Sequence, residues 1–209
     1  MTPDEDVRRR AAALLLALAA LLHVLANAPF PEPWGVVLVG AGVLAVVVTS
    51  GRSRVAVGVL AAGVVVTAWQ ESPDLPNHWL LASFAAVALV ASWGGSLAPL
   101  RAVHLGFYAF AAFAKLNSSF FDPAVTCAGP FLRDVTSAVG LGGLDLAGRS
   151  WARGAAAVAT ATVESGVVVL LLRRATRTWG VVLAVGFHLV VAIPSGHQFY
   201  DFSSVLLVG

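Results

Sequence analysis

Apolar residues fall along this chain in long, nearly unbroken runs, not in the alternating pattern of a half-exposed strand. Runs of about 16 to 22 residues, separated by short segments rich in Pro, Gly and Arg, approach the length at which a helix crosses about 30 Å of hydrocarbon. They predict helices over about Ala11–Ala28, Trp34–Thr49, Val55–Gln70, His78–Trp93, Ala102–Leu116, Trp151–Leu172 and Trp179–Ile193. A further run begins near Phe199 and stops at Gly209, too short to cross. The expected fold is therefore all-α, a polytopic membrane helix bundle with about seven full spans plus a partial eighth apolar segment. A transmembrane barrel would show alternating segments of about ten residues, and none is present. Residues 1–10 read as a tail and 11–209 as one transmembrane domain. The longest non-spanning piece, about residues 117–150, is too long for a mere connector and holds a short amphipathic stretch near Phe131–Val139.

Composition agrees with the pattern. Of 209 residues 58% are hydrophobic and 11% charged, and the mean hydropathy is +0.85. The net charge of +2 does not point to nucleic acid, because the arginines stand at the ends of apolar runs and form no patch. An N-terminus on the cytoplasmic side of a cell membrane puts Arg8, Arg9, Arg10, Arg52, Arg54, Arg101, Arg173, Arg174 and Arg177 inside. Only Arg133, Arg149 and Arg153 then face outward. Trp69 and Trp79 read as interfacial anchors on either side of the loop between the third and fourth runs. The first run follows three arginines like a signal peptide, but without a small-residue cleavage site it reads as a retained signal anchor. Cys127 is the sole cysteine, which excludes an internal disulfide and any multi-cysteine metal site.

That orientation gathers titratable groups at the outer face. Asn77 and His78 start the fourth run, Lys115 and Asn117 end the fifth, Asp122 follows, and His197 and Asp201 come after the seventh. His188 lies about 8 Å below that face, and Glu164, roughly 20 Å along its run, is expected below the reach of the outer cluster. An ionisable group at membrane depth marks a functional site by default. Lys115 reads either as a snorkelling interfacial amine or as a partly desolvated base. His78 reads as a helix-start residue or a site residue, and His188 and Glu164 as interhelix hydrogen-bonding groups or supporting polar groups of a site. His23 and His104 stand isolated and take the ordinary packing reading. No two histidines share a helix at metal-ligand spacing, so no metal is assigned. No phosphate-binding glycine loop or nucleophile elbow occurs, and no internal repeat of the transporter kind.

Three segments carry a family resemblance: LPNHW at Leu75–Trp79, AKLNSSFFDPAVTC at Ala114–Cys127, and FHLVVAIPSGHQFYDFSS at Phe187–Ser204. In order and spacing they resemble the HTTM domain, the membrane part shared with vitamin K-dependent γ-carboxylases, over roughly residues 10–209. The resemblance implies that Lys115, in Lys115-Leu116-Asn117, matches the lysine that deprotonates vitamin K hydroquinone. It further implies that Asn77 and His78 match a contributing pair, that His188 is a third matching position, and that the site is lumenal. Asn117 stands where the family has an acid, so a charge partner for Lys115 is expected elsewhere. The family's soluble, substrate-engaging region has no counterpart before Gly209, which makes a separate soluble protein an expected partner. The expected substrate is then a reduced quinone or another lipid-soluble small molecule drawn from the bilayer. Lyase- or oxidoreductase-type chemistry is expected, with Lys115, His78 and Asn77 as catalytic residues and His188, Asn117, Asp122 and Glu164 in support. The alternative is a non-catalytic scaffold or small-molecule binding bundle.

Overall fold

A computed structural model describes residues 3–27, 33–72 and 77–193, and within them every regular element is helical. The order is α1 (Pro3–Asn27), α2 (Pro33–Val48), α3 (Arg54–Gln70), α4 (Asn77–Ala91), α5 (Ala98–Lys115), α6 (Ser118–Phe121), α7 (Ala128–Ala138), α8 (Ser150–Leu172) and α9 (Arg177–Ala192). Two 3-10 turns, Gly142–Leu144 and Leu146–Gly148, lie between α7 and α8. The eighth apolar run from Phe199, with His197 and Asp201, lies outside the described residues.

The expectation of about seven full crossings is overturned. Among the described helices only α1, with 25 residues, and α8, with 23, are both long and apolar enough to span a bilayer. The α2, α3, α4 and α9 helices have 16, 17, 15 and 16 residues. At 1.5 Å per residue such helices reach only about 22 to 26 Å, short of the hydrocarbon thickness. The α5 helix has 18 residues but carries Arg101, His104 and Lys115. Apolar composition thus marked the helices without fixing their reach, which turns and caps decide. At the α2–α3 turn, for instance, Ser50 and Gly51 take positive φ angles of 51 and 69°. The Ser53 side chain then accepts from the Ala56 N–H and starts α3.

The chain divides into two compact units, with the boundary after His104 inside α5. In the first unit α2 packs along α3 more extensively than any other helix pair, while α1 rests on α2 and α4, and α3 on α4. Small residues allow that closeness: a Cβ on Gly42 would meet the Leu60 backbone at 2.4 Å, and one on Gly63 the Val39 nitrogen at 2.6 Å. Arg9, expected as a topology signal, is instead buried, donating to the Gly95 carbonyl at 2.5 Å and lying over the Trp93 ring. Trp79, expected as an interfacial anchor, is also wholly buried and donates through Nε1 to Thr67 Oγ1. Trp69, by contrast, is 82% exposed.

The second unit is built along α8. Described α9 packs on α8 beyond its midpoint, where Gly180 lets the Leu171 backbone approach within 3.0 Å of a built Cβ. The segment expected as an outer loop is structured. Phe120 of α6 and Ala128 of α7 bury themselves against Ala157 and Ala161 of α8. Arg153 locks the same region by donating to the carbonyls of Pro123 and Ala147. The α7 helix runs Ala128–Ala138, slightly ahead of the amphipathic stretch read from the sequence. Among the described helices of this unit α5 meets its neighbours mainly through long side chains, Lys115 reaching Glu164 and Tyr108 reaching His188.

Candidate functional site

The chain's one lysine is brought to a carboxylate by two helices. Lys115 closes α5, and its Nζ lies 2.7 Å from Oε2 of Glu164 on α8. Their side chains remain 23% and 11% exposed, so the pair is recessed but not sealed. Nζ also approaches the Ala111 carbonyl at 3.5 Å and lies 5.9 Å from the centre of the Phe120 ring. The sequence reading placed Glu164 too deep for this contact because it put the end of α5 at the outer face. In the structure α5 ends beside the middle of α8, and the lysine lies at the level of the glutamate along that helix. Glu164 is thereby the charge partner that Asn117 could not supply.

Tyr108 stands two turns before Lys115 on the same face of α5 and is buried. Its ring centre lies 5.9 Å from that of His188 on α9, which is buried against Phe187 as well. Sequence reasoning found Lys115, Glu164 and His188 but missed Tyr108. Its seven-residue offset from Lys115 was the available signal, since that spacing returns to the same helical face. Asn117 and Asp122 serve the backbone. Asn117 caps α6, accepting from the Phe120 N–H at 2.9 Å and donating to the Ala114 carbonyl at 2.7 Å. Asp122 Oδ1 accepts from the Ala124 N–H at 2.8 Å.

Asn77 and His78 belong to the first unit. Asn77 opens α4, and its side chain lies outside the described residues. His78 is half-buried, with its ring centre 6.0 Å from that of His23 on α1. His23, which the sequence left isolated, is the hub of a buried network. Its Nε2 lies 2.6 Å from Glu71 Oε1, and its ring stacks on Trp79 at 3.7 Å with the planes 10° apart. The Asn27 amide nitrogen donates to the His23 carbonyl at 2.9 Å, which fixes the amide's orientation because a carbonyl only accepts. The same nitrogen lies 3.2 Å from His23 Nδ1, so Nδ1 accepts and Nε2 carries the proton that bonds Glu71. His23 sits wholly buried in this arrangement. One turn before the end of α1, with a glutamate far away in sequence, it left no local pattern to read.

Among the described residues no group of three or more His, Cys, Asp and Glu side chains is arranged to hold a metal ion. Chemically, the first unit offers a contact between a wholly buried histidine and a partly exposed carboxylate, and the second a recessed ammonium–carboxylate pair edged by a phenol and an imidazole. No protein-family model matches the chain, and neither a curated protein nor a solved structure is significantly similar to it.

Proposed function

We propose that this chain is a lipid-embedded helical protein, related to the carboxylase-like HTTM proteins, whose second unit binds a reduced quinone or a similar lipid-soluble phenol at Lys115 and Glu164. The lipid setting is supported by the distribution of side chains within each unit. Leu14, Leu18, Leu21 and Leu25 of α1, Phe84 and Val87 of α4, Val158 and Val169 of α8, and Val181, Val182 and Leu189 of α9 are all exposed. Arg9, His23, Thr67, Glu164 and His188 are buried. Apolar surface outward and polar groups inward is the arrangement favoured by hydrocarbon solvent and disfavoured by water.

The observation that carries the site is the Lys115–Glu164 pair at the middle of an apolar helix. A carboxylate there can accept the proton of a phenol while the ammonium stabilises the phenolate that forms. The pair, rather than the lysine alone, is then the proton-handling group. Tyr108 and His188 supply aromatic and polar walls for a flat ring.

One observation favours the non-catalytic bundle as a second reading. At 2.7 Å the two charges already satisfy each other, as an interhelix strut does. Titrating the purified protein with a reduced quinone separates the readings. Expected for the wild type is saturable binding that weakens at least about tenfold, roughly 1.4 kcal/mol, in both Lys115→Ala and Glu164→Gln. Variants that bind as tightly as wild type while melting lower support the strut, and a wild type that binds no quinone sinks the proposal.

A further inference from the structure

Depth along α8 makes the segment after Lys115 unusual. Counting from Ser150, Ala157, Ala161 and Glu164 lie about 10, 16 and 21 Å along the helix. Lys115 is held at the Glu164 level, Phe120 and Ala128 against Ala157 and Ala161, and Pro123 beside Arg153 and Gly154. Between Lys115 and Pro123 the chain therefore climbs about 16 Å along α8. If α8 crosses a bilayer, as the proposed function holds, this stretch runs at membrane depth. It is irregular and only partly apolar: its one short helix is capped by Asn117 and Asp122, Ser118 and Ser119 follow the cap directly, and Leu116, Phe120 and Phe121 supply its apolar side chains.

Irregular backbone at such depth is stable only where protein buries it or water reaches it. Among the described residues nothing covers its polar side chains, because Asn117, Ser118, Ser119, Asp122 and Cys127 are all exposed while Phe120 and Thr126 are buried. Hydrocarbon is excluded by the cost of holding a carboxylate, an amide and two hydroxyls in lipid. We infer that residues 117–127 line a water-filled vestibule that descends beside α8 and opens onto the Lys115–Glu164 pair. Water and small hydrophilic solutes then reach the pair along α6, while a lipid-soluble partner reaches it from the bilayer. A proton taken from a bound phenol would leave through this vestibule.

The native cysteine tests this in the unaltered chain. Cys127 is exposed and precedes Ala128, which touches Ala157, whereas Val158 is 55% exposed at the same level of α8. With the protein in liposomes, a charged methanethiosulfonate should modify Cys127, and Ser118→Cys in a Cys127→Ser background, at least about tenfold faster than Val158→Cys in that background. A lipid-soluble maleimide should modify Val158→Cys. Lys115→Cys should react faster with a cationic than an anionic reagent, because Glu164 stands alone beside it. The vestibule is refuted if Cys127 and Ser118→Cys resist the charged reagent as fully as Val158→Cys, an outcome that leaves the lipid setting intact. Rapid reaction of Val158→Cys with the charged reagent would instead overturn the lipid setting.

Discussion

His23 in the first unit and Lys115 in the second pose the same problem, a titratable side chain among apolar helices, and each unit answers it differently. His23 is closed in, with one ring nitrogen facing Glu71, the other accepting from Asn27, and a tryptophan stacked on its face. Lys115 has one carboxylate partner, stays partly exposed, and leads into exposed polar residues. The first arrangement uses up the hydrogen-bonding capacity of the imidazole, so its contribution is to stability and specificity of packing. The second leaves room for a ligand to compete. Burial alone would have ranked His23 above Lys115 as a site, and accessibility reverses that order.

The backbone contrast that underlies this difference gives the largest expected effect. Close α2–α3 packing in the first unit depends on Gly42, so Gly42→Leu should abolish its cooperative melting, beyond the about 1–3 kcal/mol of ordinary overpacking. Gly40→Leu, where an added Cβ meets nothing within 4 Å, should melt like wild type, and equal damage from both would refute the close-packed account. Next comes the ion pair. Lys115→Ala strands Glu164 and should cost about 2–3 kcal/mol, less than for a sealed pair because both groups are partly exposed. Lys115→Ala/Glu164→Ala should recover at least about 1 kcal/mol in a double-mutant cycle, and strict additivity would deny the coupling.

Smaller effects probe the His23 network. Glu71→Gln keeps an acceptor for the Nε2 proton and should cost about 1 kcal/mol, whereas Glu71→Ala should cost about 2 kcal/mol or more by chemical denaturation. Equal losses would contradict the assigned tautomer. Trp79→Phe retains an aromatic face for His23 but removes the Nε1 donor to Thr67, with an expected loss of about 1 kcal/mol. Neither Glu71 nor Trp79 substitutions should change quinone affinity, and a selective loss there would erase the distinction between the two units.

Helix positions were legible because apolar runs and their Pro, Gly and Arg breaks are local features. Crossing number was not, since a sixteen-residue helix made mostly of valine, leucine, alanine and glycine is apolar enough for a span yet about 6 Å too short. For the site, Lys115 stood out as the chain's one lysine at the end of an apolar run. Its pairing with Glu164 was hidden by the assumption that every helix runs from face to face, which the end of α5 beside the middle of α8 breaks. His23 and Tyr108 were hidden for a simpler reason. Each acquires its meaning from a residue on another helix, Glu71 for one and His188 for the other.

The Lys115–Glu164 contact also bears on how the protein is made. The two residues are about fifty positions apart, so at about 5–20 residues per second the lysine leaves the ribosome several seconds before its carboxylate. During that interval the ammonium has no counter-ion from α8 and stays hydrated until translation delivers Glu164. Pairing of α5 with α8 thus waits for the arrival of α8, and the late partner sets the moment at which the second unit can close.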